Sequence, residues 1–496
     1  MNARFDTTDA TPAPARPGRF AVSRSLARIA RPALVLLVCG FAQAQNALGD
    51  LIAADARKLL HHADPEVRGE AALIAAHGAD HDGLQQLLAL AKDPAPATRH
   101  RALIALGLCG SPVAVRQLES VLADHDARSD DDGIAAAFGL GLVAGEAATS
   151  ATTRVLSGIA QSSWKRQRDM LLALLLAMTE RAPRVESMAL RQLFDDESNR
   201  DPEVRGLLLT LLLGTDRAPD DKARRKLLVR GSVPERLALL QAIDGAVLAN
   251  DAEALAAVER QAKADDDGTV RAAALAALTR ANHLGALDLA LHALRNGRAP
   301  EAAQALRTLL AIGGAGMLRA AAPRLVEERD PNRKAAMLRA FDGPPPPALL
   351  ADVSRLATDG AQPWPLRTAA VLMLARSDAE RTAPLLRDTF RATTDTSTLP
   401  DLAHALRRAH GEPVALARLF DHPEDLRREM PRWLALLQAE HPEAQREVLA
   451  ALHVDERDPA LLPALRAWRL AAVLDVPRAR PEAVPERLRL LLGRGP

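Results

Sequence analysis

From about residue 48 onward, apolar and small residues recur in runs with helical spacing, and short polar turns interrupt them regularly. Two of these turns are identical, Asp64-Pro65-Glu66-Val67-Arg68-Gly69 and Asp201-Pro202-Glu203-Val204-Arg205-Gly206. Asp suits the N-cap, where its carboxylate accepts backbone N–H bonds, and Pro suits the first helical position. Glu in the first turn complements the positive end of the helix dipole, and Val starts the buried face. The hexapeptide therefore predicts a turn between two antiparallel helices.

The basic residue that follows each turn acts as a ruler. Arg68, Arg99, Arg205, Arg236, Arg271, Lys334 and Arg367 are separated by 31, 106, 31, 35, 63 and 33 residues. These are one, three, one, one, two and one periods of about 33 residues, within the range of helix–turn–helix repeats. Asp130-Asp131-Asp132-Gly133 and Asp265-Asp266-Asp267-Gly268 lie four periods apart and read, like Asp195-Asp196-Glu197, as solvated helix caps. A two-helix unit of this size cannot bury its apolar face alone, so the units must stack. The pattern predicts an all-α fold, an α-solenoid of about 12–13 antiparallel helix pairs. Gly343 with Pro344 to Pro347, and Pro363-Trp364-Pro365, read as irregular loops inside the array, because the pattern resumes after both.

The Asp-Pro-x-Val-Arg turn leading into an Ala/Leu-rich helix resembles HEAT repeats, in the short form named after phycobilisome lyases. The matching stretches are 63–78, 93–107, 201–214, 267–279 and 330–341. Tetratricopeptide repeats would require Tyr, which the chain lacks, and the Thr-Pro-Leu-His opening of ankyrin repeats does not occur. The resemblance implies a structural ladder in which turn Asp and following basic residue link neighbouring repeats. It would use Asp64 with Arg68, Asp201 with Arg205 and Asp267 with Arg271. Arg99, Arg236, Lys334 and Arg367 stand at the equivalent turn positions. Exposed pairs of this kind contribute ~0.2–1 kcal/mol each.

Composition agrees with helices: aromatics make up 2% of the chain, Tyr is absent, and Ala and Leu dominate. Charge divides the chain. Residues 1–44 hold six Arg and two acidic residues, leaving 58 basic against 61 acidic beyond them, too balanced for a nucleic-acid footprint. Arg24, Arg28 and Arg31 precede an apolar run from Ala33 to Ala42, and Ala42-Gln43-Ala44 fits a signal-peptidase site. The expected organisation is a signal peptide with a disordered N-terminal extension over 1–44, a solenoid over 45–475, and an Arg/Pro-rich cap and tail over 476–496. Cleavage near Ala44 would place the protein in the periplasm or outside the cell, with no membrane span. It would leave Cys109 as the one cysteine, a buried structural thiol that forms no internal disulfide.

Candidate chemistry is sparse. No Gly-x-x-x-x-Gly-Lys loop, Gly-x-Ser-x-Gly elbow or His-Glu-x-x-His motif occurs. Gly139-Leu140-Gly141 through Gly145 reads as close helix packing, not a dinucleotide loop, and Ser162-Ser163-Trp164-Lys165 lacks the partner motifs of acylating enzymes. His61, His62, His77, His81, His100 and His125 make six of the thirteen histidines. His77 and His81, four apart, are the metal-ligand candidates; the competing reading for the whole group is solvated loop histidines. Within the wider HEAT family, the iron-dependent hydroxylases carry His-Glu dipeptides, which are absent here. The resulting reading is a non-enzymatic exported scaffold or adaptor, monomeric and without a cofactor, that binds a protein partner on a concave face. The alternatives are a metal-binding protein or metal-dependent enzyme using the histidine cluster, or a lyase-like handler of a small ligand.

Overall fold

The computed structural model describes residues 56–76, 79–124, 130–161, 167–181, 187–196, 199–341, 343–393 and 398–410, and among them every regular element is a helix. The expected signal segment, the terminal cap, His77, His125 and Ser162 to Lys165 lie outside the described residues. The described helices belong to one compact unit, Leu48–Pro496.

The chain begins with α1 (Pro65–Ala75), α2 (His81–Leu90), α3 (Pro96–Cys109), α4 (Pro112–Ala123), α5 (Asp130–Leu142), α6 (Glu146–Gln161) and α7 (Arg168–Arg181). It continues through α8 (Ser187–Asp195), α9 (Pro202–Leu212), α10 (Asp221–Arg230), α11 (Val233–Ala242), a short α12 (Gly245–Asn250), α13 (Ala252–Ala264) and α14 (Gly268–Arg280). Then come α15 (Ala286–Asn296), α16 (Ala299–Glu327), α17 (Pro331–Arg339), α18 (Pro347–Thr358), α19 (Trp364–Ser377), α20 (Ala379–Ala392) and α21 (Leu399–His410).

Alternate helices build two rows. In the first row α1, α3, α5, α7, α9, α11, α14 and α16 each lie against the next, and α17, α19 and α21 continue the row. In the second row α2, α4, α6 and α8 pack in succession, as do α10, α13 and α15. This is the α-solenoid that the repeated turns predict, and the proline-rich stretch does not break it. Pro347 opens α18, Pro365 sits in the first turn of α19, and α17 still packs on α19.

The rows differ in sequence because they differ in exposure. First-row helices have neighbours on both flanks and a second-row helix behind them; α5 is buried from Ile134 to Leu142, and α7 from Met170 to Met178. These two helices are accordingly apolar on nearly every side. In the second row α2 buries Gly83, Leu84, Leu87 and Leu90 on one stripe and leaves His81, Asp82, Gln85 and Ala89 exposed. The turn residues take their predicted places. Asp64, Asp201, Asp267 and Asp330 each accept backbone N–H bonds at an N-cap, ahead of Pro or Gly at N1.

One junction has no loop. α16 is two helices joined directly at Gly314, and together they touch α14, α15, α17 and α18. Gly314 has φ 59° and ψ −152°, a region open essentially to glycine alone.

Glycine also sets the spacing within the first row. A Cβ on Gly107 would lie 2.1 Å from Gly139 O, and one on Gly139 would lie 2.6 Å from Leu103 O. A Cβ on Gly141 would lie 2.6 Å from Leu174 O. The string that only mimics a nucleotide loop is therefore the seam along which α3, α5 and α7 bring their backbones together. Gly158 on exposed α6 has open space around it. Gly139→Ala should lower the free energy of urea unfolding by ~1–3 kcal/mol, because backbone must move. Gly158→Ala should raise it by ~0.5–1 kcal/mol through helix propensity. Equal effects from the two would mean that the seam is loosely packed.

Candidate interaction surface

The turn guanidinium is the recurrent polar group, and its position follows from helix geometry. It sits at the start of the second turn of a first-row helix, and side chains there slant toward the N-terminus. It therefore reaches back to its own turn and sideways to the next. Arg68 donates to His62 O and Ala63 O, and also to Asp93 in the following turn, at 3.0 Å. Arg99 donates to Asp93 O and Pro94 O and to Asp132 at 2.9 Å. Arg205 does the same with Phe194 O and Glu235, at 2.9 Å in each case, and its guanidinium lies 4.5 Å above the Phe194 ring. Arg236 meets Asp265 at 3.0 Å, Arg271 meets Glu301 at 2.7 Å, and Lys334 meets Asp352 at 2.8 Å.

The pairing differs from the one the resemblance implied. Asp64, Asp201 and Asp267 do not bind Arg68, Arg205 and Arg271; in each, Oδ1 accepts from backbone N–H groups, of Glu66, of Glu203 and Val204, and of Thr269 and Val270. The partner of each guanidinium is an acid of the next unit. Asp201 joins the ladder through Arg168 of the preceding unit, at 2.5 Å. Arg367 departs from the pattern and stacks 4.3 Å over the Trp364 ring. Arg168, Asp93, Asp132, Glu235, Asp265 and Glu301 are the rungs that the marker spacing alone did not reveal. The usable signal was an Arg followed by an acid about 30 residues later.

These rungs are also less exposed than surface pairs. Acceptor side chains in the ladder are between 4% and 13% exposed. Asp132 and Asp265 are thus not the solvated caps the acidic clusters suggest. The Arg271 pKa is raised, chiefly by its hydrogen bonds to Glu301, and that of Arg168 is raised chiefly by those to Asp201. At the opposite, C-terminal ends of first-row helices, Arg280 donates to Leu240 O at 2.5 Å and Arg376 to Phe341 O. Each such bond satisfies a carbonyl that ends the preceding first-row helix.

The histidine group resolves into separate environments. His100 is 6% exposed in the second turn of α3, not solvated; its Nε2 lies 2.9 Å from Asp132 Oδ1. Burial holds its pKa below the ordinary imidazole value, Asp132 opposes that shift, and Arg99 adds to it. His81 is the exposed first residue of α2. Among the described residues no three His, Cys, Asp or Glu side chains come together as metal ligands. Cys109 is half-buried with Sγ 3.6 Å from Ala76 O, and burial pushes its thiol up to about 12. A thiol held in that state is unreactive at neutral pH.

From α9 on, the first row leaves partly exposed positions at Leu207, Leu211 and Ala276 and exposed ones at Gln241 and Arg307. Where α12 interrupts the alternation, a cavity of about 220 Å³ is floored by Leu213, Leu228, Leu239 and Leu248. Of its lining acids, Asp244 and Asp251 cap α12 and α13, Asp251 also meets Arg225 at 3.2 Å, and Asp221 meets Arg224 at 3.6 Å.

Comparison with known proteins places the first units. Residues 53–141 match the family model described as HEAT repeats, which covers α1 to α5. Among solved structures, the chain is similar to Kap121p and to a charge-substituted mutant of it. The mutant is 12% identical with a TM-score of 0.26, over 85% of this chain and 49% of that one. Kap121p itself is 13% identical with a TM-score of 0.24, over 87% and 46%. The chain thus spans about half the length of those structures. A search of curated proteins finds no match.

Two outcomes test the ladder. Arg205→Ala should cost ~1–3 kcal/mol in urea unfolding, because it leaves buried Glu235 without its cation. That exceeds the value of a surface pair; a loss within error would remove the rung from the list of stabilising contacts. His100, with a folded pKa lowered from 6.5, contributes stability that is complete above about pH 6.5. This contribution is lost as pH falls from there toward the folded value. Wild type should therefore lose more stability than His100→Gln between neutral pH and pH 5; parallel losses would refute the buried neutral imidazole.

Proposed function

We propose that this chain is an exported, non-enzymatic scaffold or adaptor, and that a protein partner binds along the first row, on the concave face of the superhelix. The observation that supports this reading is the rung itself. Each guanidinium fixes the distance and angle between successive units, so exposed first-row positions far apart in sequence are held in one frame before any partner arrives. A surface ordered in advance loses little conformational entropy on binding, and stacked arrays supply such surfaces over long spans. With neighbouring helices ~9 Å apart, about a dozen units give a surface on the order of 100 Å long. HEAT repeats in residues 53–141 agree with a binding array.

Export is supported by the charge split at residue 44 and the Ala42-Gln43-Ala44 site. No helix among the described residues is long and apolar enough to cross a membrane. Protein recovered from the cell envelope should begin near Gln45 on N-terminal sequencing, and a chain that retains Arg24 to Arg31 would contradict cleavage.

The partner surface is testable with a photo-crosslinking amino acid placed at Leu211, at Gln241, or at exposed Arg116 on second-row α4. Adducts with one common protein from the two first-row sites, and none from Arg116, are expected. Adducts from Arg116 alone would move the binding face to the other row, and no adducts from any site would defeat the scaffold reading.

A further inference from the structure

α10 carries five basic residues in ten, Lys222, Arg224, Arg225, Lys226 and Arg230. Lys222, Lys226 and Arg230 recur at every fourth position, so one helix face presents three like charges in line, a spacing at which they repel one another. That face borders an open cleft of about 840 Å³ between α10 and α13, with Val229, Ala256 and Ala257 along it and Arg260 on the opposite wall. Val229 is 54% exposed.

The cleft is not electrically balanced from within. Of its lining acids, Glu253 pairs at 3.4 Å with Arg225, which Asp251 also holds at 3.2 Å. Glu259 is taken by His283 at 2.5 Å. Lys222, Lys226, Arg230 and Arg260 have no carboxylate within 4.0 Å among the described residues. This contrasts with the turn guanidiniums of the ladder, nearly all of which have a carboxylate of their own.

We propose that the cleft between α10 and α13 receives an acidic segment of a partner protein. Its carboxylates would lie against Lys222, Lys226, Arg230 and Arg260, with one small apolar side chain on Val229. The proposal rests on the scaffold reading, for it names the chemistry of a segment such a partner carries, but it concerns a second-row site. Shape and lining select the occupant. An anionic bilayer would meet a projecting patch with aromatic or leucine anchors, and this surface is recessed with one exposed valine. Single-stranded nucleic acid binds through stacking on aromatic rings, and no aromatic residue lines the cleft. An acidic peptide needs only the four cations and a shallow apolar floor.

Fluorescence anisotropy with the full chain and a short fluorescein-labelled Glu-rich peptide, bearing one central Val, tests this. Binding should be measurable at low ionic strength and weaken as salt is added. Lys222→Glu with Lys226→Glu should weaken it by roughly tenfold or more. The milder Lys222→Gln with Lys226→Gln should weaken it less, and it covers the case in which charge reversal disturbs folding, which circular dichroism would show. Lys92→Glu with Arg116→Glu, exposed changes in the first units, should leave affinity within about twofold. Equal loss in that control would reduce the effect to net charge and overturn the site. Tighter binding of oligothymidine or of phosphatidylglycerol vesicles than of the peptide would also overturn it. Failure to bind the peptide, with first-row crosslinking intact, removes this cleft and leaves the scaffold reading standing.

Discussion

One guanidinium joined to two turns is the contact on which the array depends. Apolar packing between first-row helices is strong but undirected, and Ala- and Leu-rich faces tolerate sliding and rotation. The Arg rung removes that freedom. Its donors are shared between the carbonyls of its own turn and a carboxylate of the next, as with Arg68 and Asp93 or Arg99 and Asp132. A planar fork with several fixed donors does this in a way that a lysine ammonium does not. The one lysine in the series, Lys334, reaches Asp352 on α18, only 18 residues ahead, and binds Val326 O. Where Arg367 stacks on Trp364, an aromatic ring replaces the acid.

The sequence displayed the repeat more clearly than the contacts within it. Asp-Pro turns, period and helix direction were legible because each depends on local chemistry: an N-cap acceptor, a fixed φ at N1, a valine at the first buried position. Which acid would face which arginine was not legible, because that choice is made across two units. Asp64 and Arg68 are neighbours in the turn, yet the carboxylate is drawn to the nearby N–H groups and leaves the guanidinium for Asp93. His100 was misread for a related reason. It stands beside charged Arg99 and Arg101 in the sequence, but the Pro96–Cys109 helix is surrounded, so polar residues near its start are buried as well. Gly139 and Gly141 went the other way, since small residues in an apolar helix imply close backbones whatever motif they resemble. The cleft beside Lys222 could be suspected from the run of basic residues, but not located, because its far wall comes from α13.

The two rows also divide the work. The first row is mostly apolar where it is enclosed, with Glu70, Thr98, His100 and Arg101 buried among the apolar residues, and it offers modest side chains where it opens, from α9 on. Under the proposed scaffold reading it supplies frame and length more than individual charge. The second row is free to vary, since only one stripe of each helix is enclosed. α10 uses that freedom to gather cations that the stacking itself does not need. Specificity on such an array can therefore change in the second row without disturbing the rungs that hold the first together.

The turn rungs have a direction. From Arg68 to Asp93, Arg99 to Asp132, Arg168 to Asp201, Arg205 to Glu235, Arg236 to Asp265 and Arg271 to Glu301, the donor always precedes the acceptor in the chain. Each of these units therefore supplies a cation whose acid belongs to the unit after it. A stack cut at such a turn would bare guanidiniums on the upstream piece and carboxylates on the downstream one, so the two cut faces differ in sign and fit only head to tail.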